Sequence, residues 1–178
     1  MAEKMQGEAR RKALIHELQH AERARSGRSL GEQFGVSRQV IVQDMTLLKA
    51  QQHPITATSQ GYVWNEATSG RAERILACVH PPERTEEELL LLVDHGVTVK
   101  DVRVEHPVYG DLRASIMVKN RRQVQQFLEQ VRRTEASYLS ELTDGIHLHA
   151  VEADTEDDLQ AAVDALAEAG FLIEERTD

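Results

Sequence analysis

Apolar residues along this chain fall into short periodic blocks separated by polar turns. Residues 8–20 place Ala13, Leu14, Ile15 and Leu18 at helical spacing among charges, so an amphipathic helix is expected there. After the loop Arg25-Ser26-Gly27-Arg28, Ser29 stands where an N-cap belongs, with Glu32 and Gln33 nearby, ahead of a short helix over 30–34 that stops at Gly35. Ser37 is placed to cap a longer helix over 38–49, with Val40, Ile41, Met45, Leu47 and Leu48 as its expected inward face. Residues 55–58 and 62–64 flank Ser59-Gln60-Gly61 and predict a two-stranded hairpin.

A polar, turn-rich stretch over residues 65–70 precedes a different pattern, which sets the expected domains at 1–66 and 71–178. Residues 75–79 form a short apolar strand ending at His80-Pro81-Pro82, and Thr85 is the expected cap of a helix that Gly96 ends. Residues 97–105 alternate as a strand with an irregularity near Lys100-Asp101. A turn over 106–111 leads to a strand over 112–118. Asn120 caps a helix to about residue 134, a strand covers 145–151, and Asp154 or Thr155 caps a last helix before Gly170 and a strand over 171–173. The order β-α-β-β-α-β-α-β predicts an α+β domain, a ferredoxin-like α/β sandwich with an extra helix and strand.

Composition narrows the class. With aromatics at 4%, the core must be Leu, Val, Ile and Ala; 40% apolar and 29% charged residues suit a soluble globular protein. No apolar run approaches the roughly 20 residues of a membrane span, and the polar N-terminus has no signal-peptide core. Cys78 is the one cysteine, so no intrachain disulfide forms, and a cytoplasmic location is expected. The net charge of −9 conceals a split, because residues 1–50 carry nine Lys/Arg against six Asp/Glu while the remainder is strongly acidic. That asymmetry suggests two jobs in two domains.

Short helix, Gly-containing turn, second helix opened by Ser, then a hairpin: this is the order of a winged helix-turn-helix. The exposed start of the second helix offers Ser37, Arg38, Gln39 and Gln43 to base edges and phosphates, with Ser29 at the preceding helix. The alternative is a small helical interaction domain that touches no DNA. Residues 29–49, from Ser29-Leu-Gly-Glu-Gln-Phe-Gly-Val-Ser37 to Lys49, resemble the winged helix-turn-helix of bacterial repressors of the biotin-repressor-like class. That resemblance implies double-stranded operator DNA as a partner.

Candidate chemistry in the second domain centres on Gly145-Ile-His-Leu-His-Ala150. In a strand, His147 and His149 project to one side, while Ile146, Leu148 and Ala150 are expected to face a core on the other. The pair alone is equally compatible with a half-buried strand whose polar face carries histidines. His80, at the end of a neighbouring strand, and Glu88, in the first turn of the following helix, have geometry that allows them to join the pair. A His₃/Glu set suits Zn²⁺, Ni²⁺, Fe²⁺ or Mn²⁺ without choosing among them. Each has a plainer role: Glu88 in a capping box with Thr85, His80 in an exposed loop, His95 at a helix C-terminus, His106 in a turn.

Three separated segments, His80-Pro…Glu-Glu-Glu88-Leu, Val104-Glu-His106-Pro-Val-Tyr-Gly110 and Gly145-Ile-His-Leu-His149, together resemble the 3H domain. A winged helix joined to a 3H domain is similar to the NiaR-type nicotinate-responsive repressors of NAD biosynthesis and vitamin uptake, and the likeness spans essentially the whole chain. It implies a divalent metal held by His80, Glu88, His147 and His149, nicotinic acid as co-repressor, and no enzymatic activity. His106, Tyr109 and Gly110 are expected to line the effector pocket. Arg113 is expected to grip a carboxylate with its planar fork. A two-fold homodimer is expected because recognition helices must meet DNA about one turn apart. The alternatives are a metal-sensing regulator with no organic ligand, a metal-dependent hydrolase and a structural metal staple.

Overall fold

The computed structural model describes residues 7–65 and 70–173. The chain divides into two compact units, Met1–Thr68 and Ser69–Asp178. The expected linker over 65–70 falls mainly on residues 66–69, which lie outside the described residues, as do the outer ends of both expected domains.

The first unit comprises α1 (Gly7–Gln19), α2 (Gly27–Phe34), α3 (Arg38–Ala50) and the hairpin strands β1 (Ile55–Thr58) and β2 (Gly61–Trp64). Ser26, not Ser29, caps α2: its hydroxyl accepts the Ser29 N–H at 3.0 Å, so Ser29 lies in the first turn. The helix begins three residues earlier than apolar spacing suggests, because the extended backbone of Ser26 (φ −67°, ψ 147°) already satisfies a cap. Gly35 is left-handed (φ 65°), as the turn requires, and Ser37 caps α3 by accepting the Val40 N–H at 3.3 Å. Gly31 is needed too, since a β-carbon there would lie 2.7 Å from the Val36 carbonyl oxygen.

The buried face of α3 is Ile41, Asp44, Met45 and Leu48. These positions follow the i, i+3, i+4, i+7 stripe, which leaves Leu47 48% exposed and corrects its expected inward role. Arg10 of α1 neutralises the buried Asp44 at 2.6 Å. Arg25 exchanges two 2.9 Å backbone hydrogen bonds with Tyr62 and adds a third, minimal strand to the wing.

The second unit comprises β3 (Ala72–Val79), α4 (Thr85–Asp94), β4 (Thr98–His106), β5 (Gly110–Val118), α5 (Arg121–Thr134), β6 (Ile146–Ala153) and α6 (Glu156–Glu168). It is α+β, and its sheet runs β3-β6-β4-β5 with every neighbouring pair antiparallel. This order differs from the ferredoxin-like one, in which the first and third strands are central. Here the second and fourth strands are central, so the histidine-bearing β6 sits inside the sheet. Both arrangements share one element order and two split βαβ units, so only the pairing distinguishes them.

Helices α4, α5 and α6 pack on one face, around Leu76, Cys78, Val99, Val118 and Val151 of the sheet and Leu89, Leu92, Leu128, Leu159 and Leu166 of the helices. The expected irregularity is a register shift between Val99 and Asp101. Asn120 caps α5, accepting the Gln123 N–H at 2.9 Å, and Thr155 rather than Asp154 caps α6. Residues 171–173 make a single bridge, Cys78–Leu172, along the outer edge of β3 in place of a full strand. A 3-10 turn, Leu139–Thr143, packs against β4 and was not foreshadowed by periodicity.

The two faces of β6 are the reverse of expectation. His147 and His149 are each 3% exposed on the helix-covered face, while Ile146 and Leu148 are 53% and 39% exposed on the open face. Alternation holds, but the imidazoles are buried because each finds partners under α4, as described next.

Candidate metal centre

Three imidazoles converge on one carboxylate. Glu88, 1% exposed on the first turn of α4, lies with its Oε2 2.7 Å from His80 Nε2 and 3.3 Å from His149 Nε2, and its Oε1 3.3 Å from His147 Nε2. His80 follows the end of β3, and β3 pairs with β6 in the register Cys78↔His147 and Leu76↔His149. The end of β3 and the first half of β6 therefore present their side chains at one level beneath α4.

The other ring nitrogens are fixed as well. His80 Nδ1 donates to the Pro81 carbonyl at 2.8 Å, His147 Nδ1 to Gly145 at 2.8 Å, and His149 Nδ1 to Asp101 at 2.7 Å. A carbonyl only accepts, so each Nδ1 carries a proton, and in the neutral ring each Nε2 would aim a lone pair at the carboxylate. Acceptors facing acceptors in a buried site require a cation between them, a proton or a metal ion. Outer hydrogen bonds from Nδ1 to backbone carbonyls are the arrangement that orients metal-ligating histidines. On this donor chemistry, the residues fit a borderline divalent metal.

Without a metal, protonated imidazole supplies that cation. Burial disfavours the Glu88 anion, but the His149 charge and the hydrogen bonds from all three histidines outweigh it and hold its carboxyl well below the usual range. Burial disfavours charge on His80 and His149 too, and the Glu88 carboxylate overrides it, raising both above the ordinary imidazole value. The expected capping box is corrected. Arg84 occupies the N-cap of α4, and Thr85 is already helical because the 3-10 turn Pro82–Arg84 runs straight into it. Thr85 Oγ1 is buried with no hydrogen-bond partner among the described residues, and Glu88 turns to the histidines. His95 does serve the end of α4, where its Nδ1 donates to the Leu91 carbonyl at 2.8 Å.

Cys78 and Asp101 are the residues that sequence reasoning missed. Cys78 Sγ, a Glu88 oxygen and a His147 nitrogen lie within 4.8 Å of one another, and burial together with the Glu88 charge pushes the thiol pKa up. Its spacing two residues before His80 on one strand face was the available signal. Asp101, 0% exposed, holds His149 through its carbonyl, and its carboxylate accepts the Ala150 N–H at 3.0 Å. Phe171 closes the site on another side, its ring 5.3 Å from that of His80 in edge contact.

The expected effector residues separate. Directly paired residues share a face, and Arg103 pairs with both Leu148 and Arg113, so Arg113 lies on the face opposite His147 and His149. Its Nε meets Asp101 Oδ2 at 2.5 Å. This corrects its placement in a pocket shared with the histidines: Arg113 braces Asp101 instead. His106 pairs with Gly110 on the histidine side of the hairpin; its Nδ1 accepts the Val108 and Tyr109 N–H groups, and its ring sits 5.0 Å from that of Tyr109, which is 74% exposed.

In the first unit, Ser37, Arg38, Gln39 and Gln43 are exposed along the start of α3, and Ser29 is half-buried on α2. The N-terminus of α3 therefore opens to solvent with a cation and two amides around it. No helix among the described residues is long and apolar enough to cross a membrane.

Two family models match the chain, an HTH domain over residues 10–63 and the 3H domain over residues 73–175. Fold and family models thus define a two-domain protein, a helix-turn-helix DNA-binding unit joined to a 3H domain. Over 175 residues it is 53% identical to "Transcription repressor NadR" of Bacillus subtilis (strain 168), covering 97% of each chain. It is 40% identical over 166 residues to "Probable transcription repressor NiaR" of Thermotoga maritima, covering 93% of this chain and 94% of that one. The chain belongs to this NadR and NiaR family of transcription repressors.

Proposed function

We propose that the protein is a cytoplasmic, homodimeric repressor of NAD-biosynthesis and niacin-uptake genes, which binds operator DNA and takes nicotinic acid as co-repressor at a metal-containing 3H domain. The observation that carries the sensing reading is the set of three Nε2 atoms gathered on Glu88, each with its Nδ1 held by a carbonyl. His80, Glu88, His147 and His149 would hold Ni²⁺, Zn²⁺, Fe²⁺ or Mn²⁺. Such an ion supplies positive charge and an open position for a ring nitrogen or a carboxylate.

Ser29, Ser37, Arg38, Gln39 and Gln43 are assigned to DNA, with the N–H groups at the start of α3 facing phosphate. His106, Tyr109 and Gly110 are assigned to the effector side, and Arg113 acts on it through Asp101 and the strand that carries His149. Nicotinic acid acts by favouring the dimer geometry that fits the operator.

A fluorescence titration of labelled operator with metal-loaded protein tests this. Nicotinic acid should tighten binding at least tenfold, and equal affinity with and without it overturns the co-repressor role. The second reading, a metal sensor without an organic ligand, rests on the burial of all four residues. It predicts tightening by metal alone in the same titration.

A further inference from the structure

With Arg113 on the far face of the sheet, the carboxylate of a small aromatic acid at the metal centre needs another cation. The segment Pro81–Arg84 leads from His80 into α4 and is partly open to solvent, with Pro81 and Glu83 exposed and Pro82 and Arg84 half-buried. The Arg84 guanidinium carbon stands 4.0 Å from the centre of the Phe171 ring, and that ring meets His80 edge-on at 5.3 Å. One aromatic ring therefore separates this cation from a candidate metal ligand.

Arg84 already holds a carboxylate in fork geometry. Its Nε and Nη2 donate to separate Glu87 oxygens, each at 2.9 Å, and Nη2 also donates to the Ala169 carbonyl at 3.1 Å. The Arg84 and Glu87 side chains are 35% and 54% exposed, so their pairing contributes little and a second carboxylate can exchange for Glu87. Glu86 is occupied elsewhere, accepting from the Gln125 amide on α5 at 2.6 Å.

Thr85 adds an independent observation. It is 8% exposed, and its Oγ1 has no hydrogen-bond partner among the described residues. A threonine within a helix can return its hydroxyl to the carbonyl four residues back. Here that carbonyl belongs to Pro81, and its two lone pairs already take His80 Nδ1 at 2.8 Å and the Arg84 N–H at 3.0 Å. Thr85 precedes Glu88 by three residues, so both lie on the helix face turned to the histidines. No side chain caps α4, so its N-terminus presents the hydroxyl together with the positive end of the helix dipole.

We infer that Arg84 and Thr85 form the carboxylate subsite of the effector, a planar aromatic acid held beside Phe171. The acid takes the Arg84 fork in place of Glu87 and accepts the Thr85 hydroxyl. Glu87 is then a built-in competitor that keeps the guanidinium paired until the effector arrives. A neutral amide of the same shape does not offer the fork two anionic oxygens, so the subsite selects the acid. The inference rests on the sensing reading above and names the groups that give it specificity.

Calorimetric titration of nicotinic acid and of nicotinamide into the nickel-loaded full chain tests the subsite. The wild-type protein should bind the acid about tenfold or more tightly than the amide, the worth of a charge-assisted hydrogen bond. Arg84→Gln should bind the two alike. Thr85→Val should narrow the gap, and Thr85→Ser should restore it. Glu87→Gln should tighten the acid and leave the amide unchanged, a gain that loosening of α4 would not produce. An acid preference that Arg84→Gln or Thr85→Val keeps in full, or that Glu87→Gln fails to raise, overturns the subsite and leaves the sensing reading standing. A wild-type protein that binds acid and amide alike does the same. Where Arg84→Gln fails to retain nickel, Glu87→Gln decides alone. A wild-type protein that binds neither molecule overturns both.

Discussion

Gly145 presses its α-carbon against the carbonyl of His80 so closely that a β-carbon would lie 2.3 Å from that oxygen. Its φ of 89° is in the region open to glycine, and its own carbonyl accepts His147 Nδ1. One residue thus fixes the spacing between two candidate ligands. Gly145→Ala should cost about 1–3 kcal/mol from backbone conformation alone, before the clash is counted. Urea unfolding with and without Ni²⁺ reads both effects: a lower midpoint, and a weaker response to metal. An unaltered metal response would show that the spacing is not critical.

His149 is buried in the cluster and its Nδ1 is bonded to the Asp101 carbonyl on a neighbouring strand. Metal at 100 times its dissociation constant should stabilise the wild-type protein by about 2.7 kcal/mol. His149→Ala should weaken metal binding by at least the roughly 10- to 100-fold that loss of an outer partner costs. Calorimetric titration of Ni²⁺ and Zn²⁺ measures it directly.

Arg38 opens the recognition helix and is exposed. If it meets phosphate, Arg38→Ala should lower affinity for specific and unrelated DNA alike and reduce the salt slope by about 1. Gln39→Ala should instead alter discrimination between operator and competitor with little change in slope. Binding isotherms at several KCl concentrations separate the two behaviours.

Lys100, in the irregular stretch of β4, lies 2.9 Å from Glu73 and 3.5 Å from Glu152, and so ties three strands together. Burial opposes its charge, but the hydrogen bond to Glu73 and the two carboxylates prevail and raise its pKa. A raised value in the folded state means a contribution fully present below the unfolded lysine value of about 10.4. That contribution is lost as pH climbs through the higher folded value. Lys100→Met should therefore cost about 1 kcal/mol at neutral pH. The gap to wild type should close only in strongly alkaline solution, as denaturation midpoints across that range will record.

Much of this architecture was legible in the chain. Gly35 and Ser37 announced the turn and the recognition helix, Asn120 the start of α5, and the spacing of His147 and His149 a shared face. The Lys100-Asp101 irregularity was visible as a break in alternation. What stayed hidden depends on contacts between distant segments. Alternation assigns Ile146 and Leu148 to one side but cannot say which side the helices cover, and apolar residues were given the core by default. The β3-β6-β4-β5 order shares its element string with the ferredoxin-like one. Asp101 reads as an ordinary strand acid until Ala150, His149 and two arginines surround it. Cys78 was read for disulfides alone, although it shares a strand face with His80.

The most direct test of the central claim is calorimetric titration of nicotinic acid into metal-free protein, into nickel-loaded protein and into His149→Ala. A metal-dependent nicotinate sensor should bind one molecule per chain when nickel-loaded and none measurably in the other two. Equal binding by metal-free and loaded protein, or none by either, would contradict it.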